Sequence, residues 1–273
     1  MTGPTPRSTR PTRLAVFGDV HGRFDRREAE ALDAQGYDGV LFVGDLGGPL
    51  PGSLRRVAQS IARLQTAAVV LPGNHDGPSA LGILREAVLH GWHPPGSARR
   101  ILRRTERLAR WLHPVPLAGY SSHVLGAATV VAARPWAMDG RRASFAGALS
   151  ARHGVEGLES SAARLCALVD DAMGPIVVLA HNGPAGLGSR PEDPWSHGGR
   201  DAGDSDLTVA LRHRVGAVRA VVAGHMHLGR TREAFRTLDG VLCVNAAQVP
   251  RRGRHVALTI DGQGATARWV AAP

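Results

Sequence analysis

The chain has 273 residues, 43% of them hydrophobic, which is enough to bury one large core or two small ones. Its formal charge is +10, from 33 basic and 23 acidic residues, and every one of the 33 is arginine. No apolar run approaches the ~20 residues a membrane helix needs, and two cysteines in apolar contexts, Cys166 and Cys243, read as buried thiols rather than a disulfide or a thiolate metal site.

Residues 1–12 are basic, polar and Pro-rich and read as a disordered tail on a single domain spanning 13–273. With no apolar segment of the signal-peptide kind, the protein is expected to be cytoplasmic. Then short apolar runs alternate with helical patterns. "LAVF" (14–17), "GVLFV" (39–43) and "AAVVL" (67–71) read as buried strands, with helices near 25–34, 53–65 and 79–89. Residues 91–113 interrupt the alternation as a helical insertion. Within it, 97–112 is a basic amphipathic helix with Ile101, Leu102, Leu108, Trp111 and Leu112 on its apolar side and six arginines between 99 and 110. A helix near 158–172, a strand "IVVLA" (176–180), a long Gly-rich loop over 182–206, a helix near 206–214 capped by Asp206 and a strand "AVVAG" (220–224) follow. These alternating units imply a largely parallel sheet. "ATVVAARP" (128–135), "VLCVN" (241–245), "RHVALTI" (254–260) and "ATARWV" (265–270) have short connections and predict a second, meandering sheet.

The five buried strands of the alternating part share one property. Their carboxyl ends read "GDVHG" with Asp19 and His21, "GDLGG" with Asp45, "GNHD" with Asn74, His75 and Asp76, "AHNGP" with His181, and "GHMH" with His225 and His227. That edge of an open α/β sheet is where ligands bind. Carboxylate, imidazole and amide oxygen without thiolate suit manganese, iron or zinc. A lone "GNHD" is an ordinary turn; five such ends in one chain point to a metal site.

With these motifs on the page, the sequence resembles the calcineurin-like metallophosphoesterase superfamily from about Leu14 onward, with every motif residue present. The resemblance implies an α/β fold, a four-layer α/β/β/α sandwich of two facing mixed sheets. It implies two divalent metal ions, Mn, Fe or Zn, with manganese favoured in vitro. Asp19, His21 and His227 would hold one ion; Asn74, His181 and His225 the other; Asp45 would bridge them; His75 would face the phosphate. Asp76 either orients His75 or caps a following helix. The 182–206 loop together with "NAAQVPR" (245–251) resembles a bacterial and plastid-related branch of the superfamily, and Arg190 and Arg200 in that loop are candidate substrate-binding residues.

Two metals roughly 3.5–4 Å apart share a hydroxide that attacks phosphorus. The expected activity is therefore hydrolysis of a phosphate mono- or diester, with a phosphorylated small molecule or other phosphoester as substrate. A nuclease acting on nucleic acid is the alternative that the arginine excess raises. A non-catalytic metal-binding scaffold on the same fold is the reading from a different class.

Overall fold

The computed structural model describes residues 10–89, 93–138, 140–227, 233–247 and 254–271. Most of the expected tail (1–9) and the end of "NAAQVPR" (248–251) lie outside the described residues.

One sheet holds β1 (Thr12–Phe17), β2 (Gly39–Phe42), β3 (Ala68–Val70), β12 (His255–Ile260) and β13 (Ala265–Val270), in the order β13-β12-β1-β2-β3. The other holds β4 (Ser121–Leu125), β5 (Ala128–Ala132), β6 (Ile176–Leu179), β9 (Val218–Ala223), β10 (Phe235–Leu238) and β11 (Val241–Asn245), in the order β10-β11-β9-β6-β5-β4. Both sheets are mixed. β1, β2 and β3 are parallel, whereas β12 runs antiparallel to β1. β5, β6, β9 and β11 are parallel, with β4 and β10 as antiparallel edges.

This corrects the division into one parallel and one meandering sheet. β12 and β13 join the first three strands, and β5 and β11 join the parallel core of the second sheet. Short connections show which strands are close in sequence, but pairing is chosen across the whole chain.

The strands alternate because both faces of each sheet are covered. Leu14, Val16, Leu41, Val43, Val177, Leu179 and Val222 pack between the sheets. Ala15, Val40 and Phe42 face the opposite way, toward Leu32 of α1 (Arg26–Asp33), Val57 and Ile61 of α2 (Ser53–Ile61), and Leu108 of α4 (Ser97–Leu112). On the far side, Val131, Val178 and Val221 pack with α5 (Ala146–His153), α6 (Leu158–Asp171) and α7 (Ser205–His213) through Leu149, Leu165 and Leu211. The result is the α/β/β/α sandwich. No helix among the described residues is long and apolar enough to cross a membrane.

α1 starts at a capping box in which Asp25 accepts from the Glu28 amide and Glu28 accepts from the Asp25 amide. The basic helix is found as expected. Ile101, Thr105, Leu108 and Leu112, at 3.6-residue spacing, are buried against α2 and α5, and the arginines face solvent.

The 182–206 segment is not a flexible loop. Its tip folds into a short hairpin of β7 (Ser196–His197) and β8 (Arg200–Asp201). Fully buried Trp195 packs over Gly183 and donates to the Gly224 carbonyl at 3.2 Å. Asn182 donates to the Ala202 carbonyl and the Asp204 carboxylate. The residue at the N-cap of α7 is Asp204, not Asp206; Asp206 lies in the first turn, held by Arg134 and Ser161.

Candidate metal centre

The carboxyl ends of β1, β2, β3, β6 and β9 converge where the two sheets meet. An isolated parallel bridge between Gly18 and Ala247 ties the end of β1 to the chain after β11, and the His225 amide donates to Asp19 across the sheets at 3.1 Å. Each strand must stop abruptly to turn its last side chain toward the gap. Asp19, His21, Asp45 and His225 accordingly have φ of 44°, 45°, 51° and 67°. For residues with a Cβ this left-handed conformation costs about 1 kcal/mol or more each, strain that the surrounding fold sustains at a functional site.

Two clusters form. Ligand atoms of Asp19, His21 and His227 lie within 4.8 Å of one another, as do those of Asp19, Asp45 and His181. His21 and His227 face each other, Nε2 to Nε2, at 3.0 Å. His181 and His225 both approach the Asn74 side-chain oxygen, at 2.8 Å from His181 Nε2 and 3.1 Å from His225 Nδ1. The opposite ring nitrogens fix the tautomers. His181 Nδ1 lies 2.7 Å from the Val43 carbonyl and His225 Nε2 lies 3.1 Å from the Met138 carbonyl. A carbonyl only accepts, so each ring places its proton there and turns a bare lone pair toward the Asn74 oxygen. Lone pairs pressed against lone pairs repel unless a cation lies among them. Outward N–H groups anchored on carbonyls are how metal-binding histidines are oriented.

The charges make the same point. Asp19, Asp45 and Asp76 are buried, and the ion-pair partners of Asp19 and Asp45 among the described residues are histidines. Burial, then the charges of Asp19 and Asp76, push the Asp45 carboxyl well above its ordinary value. Burial also acts to raise the Asp19 carboxyl, but nearby His227 and His181 outweigh it and leave it low. Asp19 Oδ2 is buried without a well-aligned hydrogen bond, although His227 Nε2 is 3.1 Å away. Burial, then His181, brings His225 down to about 3, so its ring is neutral. Neutral imidazoles and crowded carboxylates fit divalent ions.

Gly73 sits where no side chain fits, since a Cβ there would stand 2.3 Å from the Asp45 carboxylate and 2.6 Å from the His181 ring. Gly73→Ala is expected to destabilise the fold by about 1–3 kcal/mol, as overpacking does, and to lower metal content with it. Urea unfolding and elemental analysis check both, and wild-type values for both would contradict the close approach.

His75 is exposed, and its ring lies edge-on to His21 with centroids 6.0 Å apart. Its backbone amide donates to Asp45 at 2.8 Å. Partial desolvation of the ring by the surrounding site, then the neighbouring His21, hold its pKa below the ordinary value. Asp76 points elsewhere. Its carboxylate accepts from the Leu46 and Gly73 amides, tying the Asp45 turn to the Asn74 turn, and the cap of the next helix, α3 (Ala80–Val88), is Ser79.

A cleft of about 700 Å³ opens beside His21, His75 and His227, walled by residues 47–54 and by Arg23. Arg190 and Arg200 are not among its lining residues. Arg190 is exposed, 4.0 Å from Glu192, and Arg200 lies in β8. Sequence reading passed over Arg23, although it stands two residues beyond His21 in the first strand-end turn.

No curated protein matches the sequence. A solved structure superposes with a TM-score of 0.62 at 12% identity, covering 97% of this chain and all of the other. GAP50, the anchor in the inner membrane complex of Plasmodium, is similar at a TM-score of 0.50 and 11% identity, over 96% of this chain and 84% of its own. The Haemophilus influenzae NAD nucleotidase NadN is similar at 0.51 and 12%, over 96% of this chain and half of its own. At these identities the likeness shows the fold alone. The sequence itself matches the calcineurin-like phosphoesterase family over residues 12–229, and the chain belongs to that family.

Proposed function

We propose that this chain is a dinuclear metal-dependent phosphohydrolase acting on phosphate mono- or diesters. The observation that carries this reading is the inward-facing lone pairs of His181 and His225 around the Asn74 oxygen, beside the buried carboxylates of Asp19 and Asp45. Asp19, His21 and His227 would hold one ion, Asn74, His181 and His225 the other, and Asp45 would lie between them. When bound, the two ions supply Lewis acidity and an acidified water. The protein's own part is to fix these side chains with the Val43 and Met138 carbonyls and to exclude bulk water from beneath the site. His75, at the mouth of the cleft, donates its ring N–H to the departing oxygen.

Elemental analysis of protein purified without chelator, followed by a manganese-supplemented panel of a mono-ester, a bis-ester, cyclic nucleotides, a phosphopeptide and single-stranded nucleic acid, tests the reading. Two ions per chain and turnover of at least one ester are expected. Protein that is inert toward every ester of the panel, with metal bound, would favour the non-catalytic metal-binding scaffold. The nucleic-acid arm belongs in the panel because α4 packs Ile101 and Thr105 toward Gly77, next to the Asn74–Asp76 turn, and presents its arginines outward.

His75→Gln is expected to keep both ions. Turnover of an alkyl ester should fall roughly 10²–10⁴-fold, and turnover of a nitrophenyl ester, whose leaving group scarcely needs a proton, should fall less. Equal losses on both esters would argue against a leaving-group role, and lost metal would make His75 a ligand.

A further inference from the structure

We infer that Arg23 binds a second anionic group on the substrate, carried by the leaving group, so that the ester cut here bears one anion beyond the phosphate being hydrolysed. This rests on the phosphoesterase reading above and names the substrate class for that site.

Arg23 lines the same cleft as His21, His75 and His227. It is the one arginine among the cleft's described lining residues, and several arginines elsewhere are already engaged. Arg56 donates to the Gly22 carbonyl, Arg134 pairs with Asp204 and Asp206, and Arg236 pairs with Glu233 and Asp193. The Arg23 guanidinium has no hydrogen-bond or ion-pair partner among the described residues. Its base, in contrast, is fixed. The Gly22 amide donates to the Leu46 carbonyl at 2.7 Å, the Arg23 amide to Val20 at 3.1 Å, and Arg56 to Gly22 at 3.1 Å. The fixed base keeps the cationic head beside the cleft, and a guanidinium grips a phosphate or carboxylate through two parallel bonds.

The other lining residues indicate what carries that anion. Pro49, Leu50 and Pro51 form an apolar lip, and Leu50 is 66% exposed. At about 700 Å³ the cleft is in the range that takes an organic ligand rather than a bare phosphate. Because His75 opens onto the same space, the group resting there is the one that departs. A leaving group with an apolar or flat body and a second anion meets all of these surfaces at once.

The test uses the full chain loaded with manganese. Phosphate release is measured from adenosine 5′-monophosphate and adenosine 3′,5′-bisphosphate, with 4-nitrophenyl phosphate reporting the hydrolytic centre itself. Wild type is expected to prefer the bisphosphate. In Arg23→Ala the ratio of kcat/KM for bisphosphate over monophosphate should fall by about 10- to 100-fold, and Arg23→Lys should restore part of it. A ratio in Arg23→Ala within twofold of wild type, or no preference in wild type, overturns the inference while leaving the phosphoesterase reading in place. Wild type inert toward all three monoesters also overturns the inference, whereas the phosphoesterase reading falls only if every ester of the manganese panel is left uncut.

Discussion

Asp45→Asn is expected to abolish metal binding and turnover together while leaving the metal-free protein at least as stable as wild type. Activity should fall more than about 100-fold, beyond the ~10–100-fold that follows loss of an outer-sphere partner. The two halves of the expectation share one cause. Asp45 sits buried beside Asp19 and Asp76, and burial plus those two charges raise its carboxyl well above the ordinary value. A carboxyl raised in the folded state binds protons that the unfolded chain has released. The stability it contributes is therefore present below the unfolded value, near 3.8, and is lost as pH rises through the folded value. At neutral pH, with chelator, the raised carboxyl is a net cost to wild type that a neutral amide removes. With manganese the order reverses, because ligand binding to the folded state stabilises wild type alone. Thermal unfolding of both proteins at pH 4 and pH 7.5, with chelator and with manganese, reads all four cases. An Asp45→Asn protein that holds two ions and turns over normally would remove Asp45 from the centre.

The centre was legible because its chemistry sits at strand ends. A buried strand announces itself by its apolar run, and a histidine or aspartate that closes such a run stands out against it. Val178 to His181 is the plainest case, and the structure brings His181 against Asn74 and Asp45 from two other strands. What the chain could not reveal was partnership at long range. Strand β12 pairs back to β1 across about 240 residues, and β13 pairs in turn with β12; nothing in "RHVALTI" marks which sheet it enters. Trp195 pins the segment after His181 to Gly224, and nothing local in its Gly-rich surroundings signals that contact. Asp206 satisfied every local rule for a helix cap, yet Arg134, 72 residues earlier, claims its carboxylate and leaves Asp204 at the cap.

That buried pairing leads to the second large effect, at Arg134. Just beyond β5, its guanidinium is 1% exposed and lies 2.9 Å from Asp204 and 3.0 Å from Asp206, both buried. Asp204 also accepts from Asn182, the residue after His181, and Ser161 links Asp206 to the Tyr120 hydroxyl. One cation thus pairs with two buried carboxylates and, through Asn182, steadies the strand end that carries a metal-site histidine. Arg134→Met keeps the bulk and removes the charge, leaving two anions in the core, and is expected to cost about 3–5 kcal/mol. Burial already lifts Asp204 to about 6 against the pull of Arg134. Without that pull its folded value rises further, so the variant's stability, like that of any carboxyl raised on folding, is lost as pH climbs. The deficit relative to wild type should therefore be larger at pH 8 than at pH 5, and urea unfolding at the two values measures it. Adding Asp204→Asn and Asp206→Asn to Arg134→Met removes the uncompensated charge and should recover much of the loss. A deficit below about 1 kcal/mol that ignores pH would show that the carboxylates find other partners.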